Sequence, residues 1–260
     1  MKVEKAIKLQ ARHYLSQNNW STAIGCLAVS LFAAFFIIFL YYCLLYGFDT
    51  VDLTTFEYKN SKMQIVNIIE YGIIFLFVFA SPILSGYTKV CYNIAKYGTS
   101  NTYDIFYYFS RPRLYFRALG VNLLKLAIFI PLFVIGLVGY LLIDVTVKSG
   151  TPINENLSFI IGIGILLADV IVFLVLYAKF IFVNYVLAEN SYNSTFFCFS
   201  ESISLTNGHT ISTIKLILSF TLWYILCFFV LPIFYVIPYV KVSVGTSAKW
   251  LMTMRKEEFR

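Results

Sequence analysis

A short polar phrase recurs three times in this chain at nearly equal spacing, each time just ahead of a long apolar run. It reads Leu15-Ser16-Gln17-Asn18-Asn19-Trp20, then Phe109-Ser110-Arg111-Pro112-Arg113-Leu114, then Leu205-Thr206-Asn207-Gly208-His209-Thr210. The hydroxyl residues Ser16, Ser110 and Thr206 stand 94 and 96 residues apart. A fixed period of this kind marks a repeated structural unit. The runs that follow are long enough to cross a bilayer, for which a helix needs about 20 apolar residues.

The apolar runs predict six helices: Thr22–Phe48, Ile65–Ser85, Ala118–Ile143, Leu157–Leu187, Thr213–Leu231 and Ile233–Met252. The last two divide one long run at Pro232 and Pro238. With 60% hydrophobic and 13% charged residues, the chain has too little polar surface to cover a water-soluble globule. The expected fold is an all-α, polytopic membrane helical bundle of about six transmembrane helices, arranged as three parallel hairpin repeats over about 1–86, 87–187 and 188–260. Six spans leave only short connections, so one membrane domain is expected over 1–260. The first run has the length of a full span, lacks a small-residue cleavage site and is followed by further spans, so it is expected to be retained.

Each repeat opens on a segment suited to the interface. Val3, Ile7, Ala11 and Tyr14 recur at helical spacing while Lys2, Lys5, Lys8 and Arg12 take other faces, as in a helix lying in the head-group plane. Tyr103, Phe106, Tyr107 and Phe109 begin the second unit, and Phe196, Phe199 and Ile203 the third. Aromatic rings favour that depth. The unit is therefore interfacial helix, polar turn, outward span, return span.

Basic residues set the orientation. Lys2, Lys5, Lys8 and Arg12 precede the first span, and Lys89, Lys96, Arg111, Arg113 and Arg117 lie around the connection between the second and third. The connections after the first and third spans carry Asp49, Asp52, Glu57, Asp144 and Glu155 beside only Lys59, Lys62 and Lys148. By the positive-inside rule both termini are expected in the cytoplasm, with the tips near Asp52 and Lys148 outside. The net charge of +7 then reads as a topology signal and as attraction to anionic lipid head groups, worth about 1 kcal/mol per juxtamembrane Lys or Arg. Lys5, Lys8, Arg12, Arg111, Arg113 and Arg117 are the candidate head-group contacts. No interleaved aromatic motif points to nucleic acid.

The residues resemble a bacterial integral membrane protein family of unknown function, known only as a numbered domain. Ala11-Arg12, Leu15, Asn19-Trp20 and Ala23-Ile24 look like its opening motif. Gly86-Tyr87 with Asp104, Ile105, Phe106 and Phe109 is similar, as are Ser202, Gly208-His209, Ser219-Phe220, Trp223 and Pro238-Tyr239. The chain departs where the family often carries a Pro-Gly pair, which Val170 to Leu176 lacks. The resemblance implies a multi-pass protein of a bacterial plasma membrane and supplies no catalytic residue.

Cys26, Cys43, Cys91, Cys198 and Cys227 show no C-x-x-C spacing and read as small apolar residues. His13 and His209 lack a second ligand-type residue at metal spacing. H-E-x-x-H, G-x-S-x-G and phosphate-loop signatures are absent, so no enzyme, cofactor or metal is expected. The charges within the runs are the sharper clue. Glu70, Asp169 and Lys241 lie roughly 8, 18 and 12 Å below the outer surface at 1.5 Å per residue. A charge at that depth costs about 2.5 to 3.5 kcal/mol and usually finds a partner. Asp169 with Lys241 is the expected pair, with Glu70 near it or protonated, while Lys125, Lys179 and Lys215 are expected to snorkel to the cytoplasmic boundary. Such a pair either locks two helices or couples protons or a polar solute. Three function classes follow: a non-catalytic membrane scaffold or accessory protein of the envelope, favoured by the lack of a catalytic constellation; a small transporter using the charged site; and an intramembrane enzyme.

Overall fold

A computed structural model describes residues 3–17, 19–47, 58–148 and 157–258, with backbone alone at 42–47, 58–71, 148, 230 and 258. Every described element is helical: α1 (Val3–Ser16), α2 (Asn19–Gly47), α3 (Tyr58–Tyr97), a 3-10 helix (Thr102–Phe109), α4 (Pro112–Lys148), α5 (Leu157–Phe180), α6 (Val183–Glu189), α7 (Thr195–Thr206), α8 (Thr210–Leu218), α9 (Thr221–Leu226) and α10 (Val230–Glu258). Among the described residues five helices are long and apolar enough to cross a membrane. A sixth span exists only if the bent segment Thr195–Thr206 with Thr210–Leu226, whose two parts meet at 92°, crosses as well. The tip at Asp52 lies outside the described residues, and Lys148 ends α4.

The helix limits differ from those expected, for local reasons. Pro112 takes the first position of α4, where its missing N–H has no helical partner to lose and its fixed φ suits the helix. The helix therefore starts six residues before Ala118. The run after Leu157 is two helices, broken at 181–182. The final run does not break at its prolines. Pro232 falls in the first turn of α10 and Pro238 lies inside it. The breaks come earlier, at Ser219-Phe220 and at 227–229.

The three polar phrases close in the same way. Ser16 Oγ donates to His13 O at 2.8 Å, Ser110 Oγ to Tyr107 O at 2.7 Å and Thr206 Oγ1 to Ile203 O at 2.9 Å. Each hydroxyl bonds back to the carbonyl three residues earlier in its own turn, and the Tyr107 and Ile203 carbonyls also accept a backbone N–H, from Ser110 and Asn207. Gly208 follows Thr206 at φ +79°, in the left-handed region that only a residue without Cβ adopts at no steric cost.

The tightest packing lies where the C-terminal half of α3, α6 and the C-terminal half of α10 meet. Tyr87, Tyr92, Ile94, Leu187, Val242 and Ala248 are buried there. The three segments that precede the polar phrases wrap this centre: the 3-10 helix packs on α3 and α4, α7 on α6 and α5, and α1 on α10 and α2. Ile7, Ala11 and Leu15 form the buried face of α1, so its apolar stripe, expected to rest among head groups, is taken up by protein. Outward faces of α2, α4 and α5 are strongly apolar, with Phe32, Phe133 and Leu167 all more than 60% exposed. Patches of that extent are unfavourable in water and natural against hydrocarbon.

Candidate functional site: a two-lysine cavity

Four parts of the chain enclose a cavity of about 240 Å³. Lys125 reaches it from α4; Tyr177 and Phe180 come from α5, and Asn184 and Tyr185 from α6; Ile217, Phe220 and Tyr224 lie along α8–α9; Ile237, Lys241 and Val244 come from α10. Two of the three breaks within the apolar runs, at 181–182 and at Ser219-Phe220, fall on its wall. A helix break in an apolar environment frees backbone groups that need other partners. Here side chains supply them: Ser202 Oγ donates to Lys179 O at 2.6 Å and Lys8 Nζ to Ser219 O at 3.3 Å.

The cavity is apolar except for a few groups. Lys241 Nζ donates to Thr88 Oγ1 at 3.2 Å, and Thr88 Oγ1 in turn donates to Leu84 O at 3.0 Å. Tyr185 donates its hydroxyl to Lys241 O at 2.8 Å, fixing that turn of α10. Lys125 lines the same space and makes no ion pair or hydrogen bond with any described residue. Asn184 Oδ1 is buried and also lacks a partner. Among the described residues no Asp or Glu lines the cavity. Two lysine amines thus share one largely apolar space without a counter-charge among the described residues.

The expected intramembrane pair is not formed. Asp169 does not approach Lys241; it lies half-buried against α4, where a Cβ on Gly136 would sit 3.0 Å from Oδ2, and its Oδ1 is buried without a hydrogen bond. Lys241 instead turns towards α3 and α4. The side chain of Glu70 lies outside the described residues. Lys125 is half-buried and lines the cavity from α4. Lys215 is exposed and Lys179 half-buried.

The candidate head-group contacts divide. Lys5, Arg12 and Arg113 are exposed. Arg111 is also exposed, with Nη1 donating to Tyr192 Oη at 2.9 Å. Lys8 and Arg117 are engaged within the chain. Lys8 lies 4.3 Å over the Phe220 ring besides holding Ser219 O, and burial lowers its pKa from the ordinary lysine value while Glu4 works in the opposite direction. Arg117 donates to Ser191 O at 3.2 Å. Sequence reasoning passed over Glu189, which gathers Lys96, Lys256 and the Tyr92 hydroxyl, and Lys249, which holds Ala95 O at 3.2 Å and Lys96 O at 3.1 Å at the end of α3. A cation beside the last carbonyls of a helix offsets their partial negative charge, but Lys249 reaches them from 153 residues away, so no local signal marks it. Among the described residues no three of His, Cys, Asp and Glu come together as metal ligands. The chain matches no protein-family model, no curated protein and no solved structure.

Proposed function

We propose that this chain is a multi-pass protein of a bacterial plasma membrane that binds an anionic ligand in the two-lysine cavity. Of the function classes open from the sequence, this one belongs with the transporters and carriers. One observation carries the reading: Lys125 and Lys241 line one cavity in which no carboxylate of the described residues faces them. An unpaired charge at membrane depth is costly, and ionisable residues retained there mark ligand or ion paths. An anion between two ammonium groups would offset that cost through charge-assisted hydrogen bonds.

The architecture belongs to the same proposal. Three parallel hairpin repeats, each opened by an interfacial segment, would account for the matching hydroxyl-to-carbonyl closures at Ser16, Ser110 and Thr206. They would account as well for a packing order in which each opening segment rests on the preceding return helix, with α1 on α10 completing the circle. Cytoplasmic termini rest on the Lys and Arg asymmetry. Two residues that carry the family resemblance sit at close-packed points: Gly86 against Ile105, and Ser202 on Lys179 O.

Thermal unfolding of the purified protein, titrated with soluble and lipidic anions, tests the ligand. Anions should raise the midpoint of the native chain and leave a Lys125→Met/Lys241→Met variant unmoved. If no anion of either kind separates the two proteins, while a protein partner co-purifies in mild detergent, the scaffold reading replaces this one.

A further inference from the structure

The cavity has a wall that the bundle leaves thin. Tyr177 and Tyr224 both line it, yet they are 37% and 47% exposed on the outer surface. α8 packs against α5, whereas the packing of α9 is against α10, so the seam between α5 and α9 has a tyrosine on each side. The surface around this seam is hydrocarbon-like, with Phe173, Leu222 and Ile225 all exposed. In the opposite direction, towards the cytoplasmic end of α10, Tyr185, Leu187, Val244 and Ala248 are all buried to 4% exposure or less and close the way. The two lysines therefore communicate more readily with the lipid beside the bundle than with water below it.

We propose that the ligand is an acidic amphiphile, a lipid-like molecule with a phosphate or carboxylate head. It enters sideways between Tyr177 and Tyr224, sets its head between Lys125 and Lys241, and leaves its chains against the outer faces of α5 and α9. This deepens the anion-binding reading and rests on it. Size agrees: about 240 Å³ falls below the ~300–1,000 Å³ that encloses a whole drug-sized molecule, so a head group fits and its acyl chains stay outside. The chemistry agrees as well. Two ammonium groups meet the oxygens of one acidic head, and the Asn184 amide, whose carbonyl oxygen is otherwise without a partner, can accept from a protonated head oxygen. The apolar remainder of the wall offers nothing to the hydration shell of a free ion.

The test uses the full chain in detergent with three probes: dioleoyl phosphatidic acid, dioleoyl phosphatidylcholine and inorganic phosphate. Native mass spectrometry reads retained lipid, and thermal unfolding reads stabilisation. Phosphatidic acid should be retained and raise the midpoint; phosphatidylcholine and inorganic phosphate at the same concentration should do neither. Lys125→Met/Lys241→Met should weaken retention of phosphatidic acid about tenfold or more. Without lipid it should unfold no earlier than the native chain, because neither lysine leaves a described counter-charge behind. Phosphatidic acid with a photoreactive group on its acyl chain should label peptides around Tyr177 and Tyr224. Equal stabilisation by inorganic phosphate would overturn the amphiphile and leave the anion site standing. Labelling confined to other helices would overturn sideways entry. If no acidic probe distinguishes the native chain from the double variant, the anion site falls as well.

Discussion

Gly86→Ala should be among the most damaging single-methyl changes the chain can suffer. Gly86 sits on α3 where the 3-10 helix crosses it, and an added Cβ would overlap the Ile105 carbonyl oxygen, with the Ile105 carbonyl carbon at 2.7 Å and its Cα at 3.1 Å. All three are backbone atoms, so no rotamer change relieves the clash. The 3-10 helix cannot simply swing aside. Ile105 and Tyr108 are buried, Asn93 Nδ2 donates to Asp104 Oδ2 at 2.9 Å, and the Asn101 side chain caps the helix start. Overpacking a side chain costs about 1–3 kcal/mol; displacing two backbones by more than an ångström should reach or pass the top of that range. For a protein of this size about 3 kcal/mol corresponds to roughly 6–12 °C in Tm. The buried thiols of Cys26, Cys91 and Cys198 provide the assay, since a thiol-reactive fluorophore reports their exposure on heating. Gly164→Ala is the control: nothing lies within 4 Å of its Cβ position, and alanine is favoured over glycine in a helix by up to about 1 kcal/mol. If the two variants unfold at the same temperature, the 3-10 helix is not held against α3 as described.

Thr206→Val should lower stability by about 1–2 kcal/mol, because a buried hydroxyl closes the turn there. Ser16→Ala and Ser110→Ala, at exposed copies of the same closure, should stay within about 0.5 kcal/mol, all three read by the thiol assay. Asp169→Leu and Lys241→Leu do not share a contact, so their effects on Tm should add within about 0.5 kcal/mol; a double variant more stable than that sum would restore the direct pair. Cysteines introduced near Asp52 and Lys148, in a background cleared of native cysteine, should react with a membrane-impermeant label in whole cells. One near Arg111 should not, and its labelling from outside would reverse the topology.

Much of the architecture was legible because hydrophobic length and turn chemistry are local. The apolar runs mark α2, the apolar part of α3, α4 and α5 with no knowledge of what packs on them. The hydroxyl phrases mark three helix ends because Ser and Thr bond back to a carbonyl within their own turn, three residues back. The break at Ser219-Phe220 was not legible, since neither residue forbids a helix. It is held open from a distance by Lys8, 211 residues away in sequence. The prolines misled for a related reason. A proline breaks a helix by removing a hydrogen bond that would otherwise form, and Pro232, two residues inside the start of α10, has none to remove.

The site was half legible, and the missing half traces to helix faces. Sequence depth brought out Lys241 and Asp169 as costly charges, but depth carries no azimuth: Asp169 faces Gly136 on α4 while Lys241 faces Thr88 on α3, so similar depth never implied contact. Lys125 follows the same rule. Its place thirteen residues after Pro112, the observed start of α4, carries no azimuth, and only the packing of α4 in three dimensions brings it to the cavity that Lys241 also lines. Pro112, directly after Ser110-Arg111, does mark the start of α4, which is helix-start chemistry rather than only a turn.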